Sequence, residues 1–203
     1  MKKQLCFIIM FFWGVAFLFY SCGRDSKQSS EKLQITASIL PQKYFIERIG
    51  NEYVKVNVMV EPGSNPATYE PKPEQLKALS RADAYFSIGV PFEKIWIQKI
   101  IDANPKMMIV DTTKGIQKMP IAEHHHEEEH SEARNLDPHI WLSPKLVKIQ
   151  AGTIYEALKA LDSKNKEVFK ENLESFLEDI DELDTQIRES LSGLKNREFM
   201  VFH

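Results

Sequence analysis

Apolar and polar positions alternate with period two at Leu33, Ile35, Ala37 and Ile39, which predicts a strand. Behind Pro41 the spacing lengthens, so that Phe45, Ile46 and Ile49 share one helical face closed by Gly50. Val54, Val56, Val58 and Val60 alternate again and predict a second strand. Between Pro62 and Pro73 the chain carries four prolines and one glycine, the composition of a loop. Pro73 opens a helix with Leu76 and Leu79; residues 84–88 form a short apolar strand; residues 92–103 form a helix carrying Ile95, Trp96 and Ile100; and residues 107–110 form a fourth strand. Strands alternating with helices imply an α/β fold, a mostly parallel sheet with helices on both faces. Ligands of such sheets sit beyond the carboxyl ends of the strands.

The pattern then breaks. Residues 123–130 have no periodicity and read as a loop. Ser143 and Pro144 are a cap and a first helical residue, and Val147, Ala151, Ile154, Leu158 and Leu161 make that helix amphipathic. From residue 163 to 194 an apolar stripe runs through Phe169, Leu173, Phe176, Ile180, Leu183, Ile187, Leu191 and Leu194 at nearly helical spacing. A helix of that length either joins two lobes or enters a coiled coil. The segment from Arg197 to Phe202 reads as a fresh strand, whose backbone groups need partners. It is expected to mark a chain cut short. The pattern gives a leader at 1–22, a tether at 23–32, an alternating α/β region and the long helix after it.

The leader is read from its order. Lys2 and Lys3 precede an uncharged apolar run from Leu5 to Tyr20, and Ser21 and Cys22 follow. That is the order of a secretory signal, and the run is short for a membrane span of about 20 residues. Cys22 in this place resembles the lipobox cysteine of bacterial lipoproteins, which carries acyl groups; a signal anchor with an incidental cysteine is the plainer alternative. A net charge of −3 and the absence of a basic footprint exclude a general nucleic-acid binder.

The chemistry rests on histidine. There is no phosphate-binding loop, no zinc-protease helix and no nucleophile elbow. All six histidines lie beyond residue 120. His124, His125, His126 and His130 share a loop with Glu123, Glu127, Glu128 and Glu129, a donor set for zinc and related metals. Their irregular spacing fits either weak capture of several ions or a solvated charge run. His139 sits where a loop meets a helix, and His203 ends an apolar strand; on position alone each is a structural histidine or a ligand.

The order of motifs resembles the metal-specific substrate-binding proteins of bacterial ABC transporters. The matching stretches are Pro62-Gly-Ser-Asn-Pro66-Ala-Thr-Tyr69-Glu-Pro-Lys-Pro73, Ala82-Asp83-Ala84-Tyr85, Asp137-Pro-His139-Ile-Trp141-Leu-Ser143-Pro and Phe199-Met-Val-Phe-His203. The resemblance implies two α/β lobes joined by one rigid helix: an N-terminal α/β lobe at 33–162, a long linker helix at 163–194 and the first strand of an incomplete second α/β lobe, truncated, at 195–203, with a metal between the lobes held by three histidines and a carboxylate. His139 takes the second place and His203 the third, and the carboxylate would come from the second lobe. The first place falls on Ala67, which cannot bind metal. Glu61, Glu70 or a histidine of the 124–130 loop could replace it, the loop being favoured. The implied function is capture of a divalent cation outside the inner membrane and delivery to a permease powered by an ATPase. The implied chain is a monomer held to the membrane through lipid on Cys22. Zinc is expected, with manganese as the alternative, because manganese favours oxygen donors. A surface adhesin or a truncated receptor remains the alternative. A zinc hydrolase is set aside, because no motif places a general base.

Overall fold

The computed structural model describes residues 32–66, 68–120 and 136–195. Four strands, β1 (Leu33–Ile39), β2 (Val54–Val60), β3 (Ala84–Ser87) and β4 (Met108–Asp111), form one sheet in the order β2-β1-β3-β4. All three pairings are parallel; Ile35 of β1 lies opposite Val56 on one side and Ala84 on the other. Among the described residues five α-helices accompany them: α1 (Leu40–Gly50), α2 (Pro73–Leu79), α3 (Pro91–Ala103), α4 (Pro144–Leu161) and α5 (Lys166–Ser192). The α/β reading from the sequence is thus correct. The chain steps outward from β1 to β2 and then returns to the opposite side with β3. That puts a topological switch point between the carboxyl ends of β1 and β3.

Two buried clusters flank the sheet. On one face Ile35, Ala37, Val54, Val56, Ala84, Phe86 and Val110 meet Phe45, Ile46 and Ile49 of α1, Ile154 and Leu158 of α4, and Phe169 and Phe176 of α5. On the other, Ile39, Met59 and Tyr85 meet Leu79 of α2, Phe92 and Ile100 of α3, and Ile140. Strand β2 departs from strict alternation for this reason: Met59 is 1% exposed in the second cluster, whereas Val58 is only half-buried.

Three local expectations need correction. Ile95 is 69% exposed, because α3 turns Phe92, Glu93, Trp96, Ile97 and Ile100 inward and leaves Ile95 on the far side. Pro144 does begin α4, but Ser143 makes no side-chain cap bond. The long helix begins at Lys166, after a short 3-10 turn at Ser163–Asn165, and ends at Ser192. Its 27 residues span about 40 Å. Its buried residues lie toward its start: Phe169, Phe176 and Ile180 are in the core, whereas Leu183 and Leu191, and Leu194 just beyond the helix, are about half exposed. The packed half is further tied by Asn172, which donates to Ile49 O at 3.0 Å, and by the ion pairs Arg48–Asp179 and Lys148–Asp181. The expected leader, the strand at 197–202 and the loop at 123–130 lie outside the described residues. Among the described residues no helix is long and apolar enough to cross a membrane.

Candidate metal centre

Two segments at the carboxyl ends of the strands carry the expected chemistry. The first is the loop after β2. Its ends are drawn together by Lys72 and Glu61, paired at 2.7 Å. That bond raises the Lys72 ammonium above its ordinary range. Gln75 of α2 then fastens the loop to the sheet. Its amide donates to Val58 O at 3.0 Å and Met59 O at 2.7 Å, while its oxygen accepts from the Tyr69 hydroxyl and from Lys72 N–H. Tyr69 is buried, which raises its phenol, and it meets Phe92 edge-on with ring centroids 5.7 Å apart. Pro66 O accepts from Phe92 N–H at 3.1 Å. The loop therefore rests on the first turn of α3. Glu61 is engaged with Lys72, and Glu70 is exposed.

The second segment runs from Leu136 to Leu142. An antiparallel bridge joins Pro120 to Leu136, and Asp137 N–H donates to Met119 O at 2.8 Å. The two flanks of residues 121–135 are thereby joined at one neck. Asp137 Oδ1 accepts from His139 N–H at 2.9 Å and lies 2.6 Å from His139 Nδ1. An ionised carboxylate only accepts, so the proton of a neutral imidazole is on Nδ1 and the ring lone pair is on Nε2. Trp141 lies against the same ring, centroids 5.1 Å apart. Ile140 is buried in the cluster that also holds Tyr69 and Phe92, so both segments are rooted in one part of the core.

One ring nitrogen of His139 is thus fixed by a carboxylate, the kind of partner that orients metal-ligating histidines. Among the described residues, however, no three His, Cys, Asp or Glu side chains converge. Of the residues expected from the sequence, His139 is placed in an ordered setting. His124, His125, His126, His130, His203, Ala67 and Cys22 lie outside the described residues. Two features were missed in the sequence. Asp137 was visible as part of the Asp-Pro-His motif but was given no role. Glu93, with Ser38 and Tyr85, forms a buried polar cluster beneath the Pro66 loop, which no sequence spacing announced.

Comparison with known proteins identifies the family. Residues 35–203 match the family described as zinc-uptake complex component A, periplasmic. The chain is similar to a manganese-binding lipoprotein, MntA, of Halalkalibacterium halodurans, 28% identical over 95% of this chain and 61% of that one. It is similar to a zinc-binding lipoprotein, AdcA, of Streptococcus pneumoniae, 27% identical over 92% of this chain and 38% of that one. Among solved structures, a ZnuA crystal structure superposes with a TM-score of 0.77 at 43% identity, covering 85% of this chain and 64% of that one. The chain spans about six tenths of the length of the first of these relatives.

Proposed function

The chain belongs to the zinc-uptake complex component A family, and on that premise we propose that it captures a divalent cation outside the inner membrane and delivers it to the permease of an ABC transporter. Zinc is the favoured cargo and manganese the alternative. The observation that carries this reading is the Asp137–His139 pair at the carboxyl end of a parallel sheet. An imidazole donor suits zinc better than manganese, which favours oxygen donors. In this reading the cation is cargo, and no bond of a substrate is made or broken.

His139 is proposed as one ligand and His203 as a second, with histidines 124, 125, 126 and 130 as weaker donors that concentrate ions near the neck at Pro120 and Leu136. Cys22 is proposed as the lipid attachment point. Helix α5 is proposed as the linker between two lobes. Its second half supports this, since Leu183, Ile187 and Leu191 continue the buried stripe but are exposed in the lobe described. A groove of about 240 Å³ lined by Tyr44, Trp141, Leu142, Phe176, Leu183 and Ile187 lies along the same face. A rigid helix there would limit closure of the lobes, so release would depend on local movement of loops.

The test is a titration of zinc and of manganese against a competing chelator, in the protein and in His139→Ala. Zinc binding tighter than about micromolar, lost in the variant, is the expected result. Binding of several ions at lower affinity, unchanged in the variant, would refute His139 as a ligand.

A further inference from the structure

Burial alone does not fix the ring of His139, whose side chain is 36% exposed. The hydrogen bond to Asp137 fixes one nitrogen. A single bond at the edge of a ring leaves the plane of that ring able to tip about the bond. A second contact falls on the plane itself. The Trp141 indole lies with its centroid 5.1 Å from the imidazole centroid, the two planes inclined at 57°. That separation is within the range at which aromatic rings attract, and the pair is tilted rather than stacked.

The indole is itself held. Residues 140–142 form a 3-10 turn, in which Leu142 N–H donates to His139 O at 3.1 Å and Ile140 N–H to Pro138 O at 2.8 Å. Ile140 is 3% exposed and roots the turn in the cluster under α2 and α3. Its carbonyl accepts at 3.3 Å from the amide of Gln150, a fully buried residue of α4. The turn sends Ile140 inward and leaves Leu142 exposed. Trp141, between them, packs against both buried clusters. It also walls the groove along α5, beside Val147, Phe176 and Ile180. An indole wedged against two cores has few positions open to it, so a ring that rests on it is held as well.

We infer that Trp141 is a positioning residue for His139. Asp137 fixes one nitrogen of the imidazole; Trp141 fixes the plane of the ring, and so the line along which Nε2 points. The indole gives no ligand to the ion. A ring already in place loses less freedom when an ion binds, which raises affinity without a new donor. The inference rests on His139 being a ligand, as proposed above. Trp96, the other tryptophan among the described residues, supplies the contrast. It is also partly buried against the cluster that holds Ile140, but it sits on α3 with the Lys99 ammonium over its ring at 4.2 Å.

The experiment compares Trp141→Leu, Trp141→Phe, Trp96→Leu and His139→Ala with the parent chain. Zinc affinity is measured by chelator competition, and the His139 ring protons are followed by NMR without metal. Trp141→Leu is expected to weaken zinc about tenfold, near the upper end of what one aromatic pair is worth. Trp141→Phe keeps a flat ring and should stay within about threefold of the parent, and Trp96→Leu within about twofold. In the metal-free parent the indole's ring current should displace the His139 ring protons, and Trp141→Leu should return them toward ordinary histidine positions. Equal losses in Trp141→Leu and Trp96→Leu, or no recovery in Trp141→Phe, would reduce Trp141 to a core residue and overturn the inference. So would unchanged affinity in Trp141→Leu where His139→Ala has lost it. Affinity unchanged in His139→Ala is instead a failure of the metal reading, and the metal-free spectra then decide whether Trp141 orients the ring. Should Trp141→Leu not fold, the parent's own spectrum decides: His139 ring protons at ordinary positions would overturn the inference.

Discussion

Asp137 Oδ1 lies 2.6 Å from His139 Nδ1 and also accepts His139 N–H at 2.9 Å. A single carboxylate oxygen therefore fixes both the backbone and the ring of the histidine that the sequence singles out. Its own N–H is bonded to Met119 O, so the pair is anchored across the neck that joins the flanks of residues 121–135. Metal-binding histidines gain both orientation and basicity from such a partner.

Removing that partner should weaken the site without unfolding the lobe. Asp137→Ala is expected to lower zinc affinity by about 10–100-fold. Asp137 is partly exposed, so the unfolding free energy should shift by less than about 1 kcal/mol. Chelator competition and urea denaturation on the same sample check both halves.

Glu61 should prove dispensable for metal. Its carboxylate is paired with Lys72, and both side chains are about half exposed. Glu61→Gln is expected to cost no more than about 1 kcal/mol. Zinc affinity should change less than about twofold, under about 0.4 kcal/mol. A larger loss in the same chelator assay would make Glu61 the replacement for the ligand missing at Ala67.

The long helix should be energetically divided. Phe176 is 3% exposed and packs against Phe45, with centroids 5.7 Å apart. Phe176→Ala is expected to cost about 3–5 kcal/mol. Leu191 is 56% exposed, and Leu191→Ala should stay within about 0.5 kcal/mol in this chain. Urea midpoints of the two variants measure the contrast.

Stability should also depend on pH through Glu93. Its folded-state pKa is raised above 4.5, chiefly by burial. The folded state then binds the proton more tightly than the unfolded state. The resulting stability is fully present below the unfolded pKa and is lost as pH rises through the folded one. Relative to Glu93→Gln, the parent should lose stability as pH rises across that window. Denaturant melts of the two proteins at a series of pH values give the slope, and a slope of the opposite sign would contradict the assignment.

Much of the lobe was legible because its elements are punctuated. Alternation marked β1, prolines at 73 and 144 marked the starts of α2 and α4, and the stripe from Phe169 onward marked α5. What escaped depends on tertiary contacts. Ile95 looks like a core residue by type, yet Glu93 and Ile97 face inward instead of it. A glutamate in the first turn of a helix reads as a surface charge. Only the fold of β1 and β3 around it reveals that Glu93 is enclosed. The stripe of α5 has helical spacing along its whole length, but spacing cannot tell which half has a partner. His139 was legible through its motif; the carboxylate that holds it became visible as a partner only in the folded loop.

The most direct test of the central claim is a nitrogen-15 spectrum of the histidine rings during addition of one equivalent of zinc. The account predicts that His139 Nε2 shifts on binding, while Nδ1 keeps its proton toward Asp137. Uptake of zinc by other histidines with the His139 ring unchanged would contradict it.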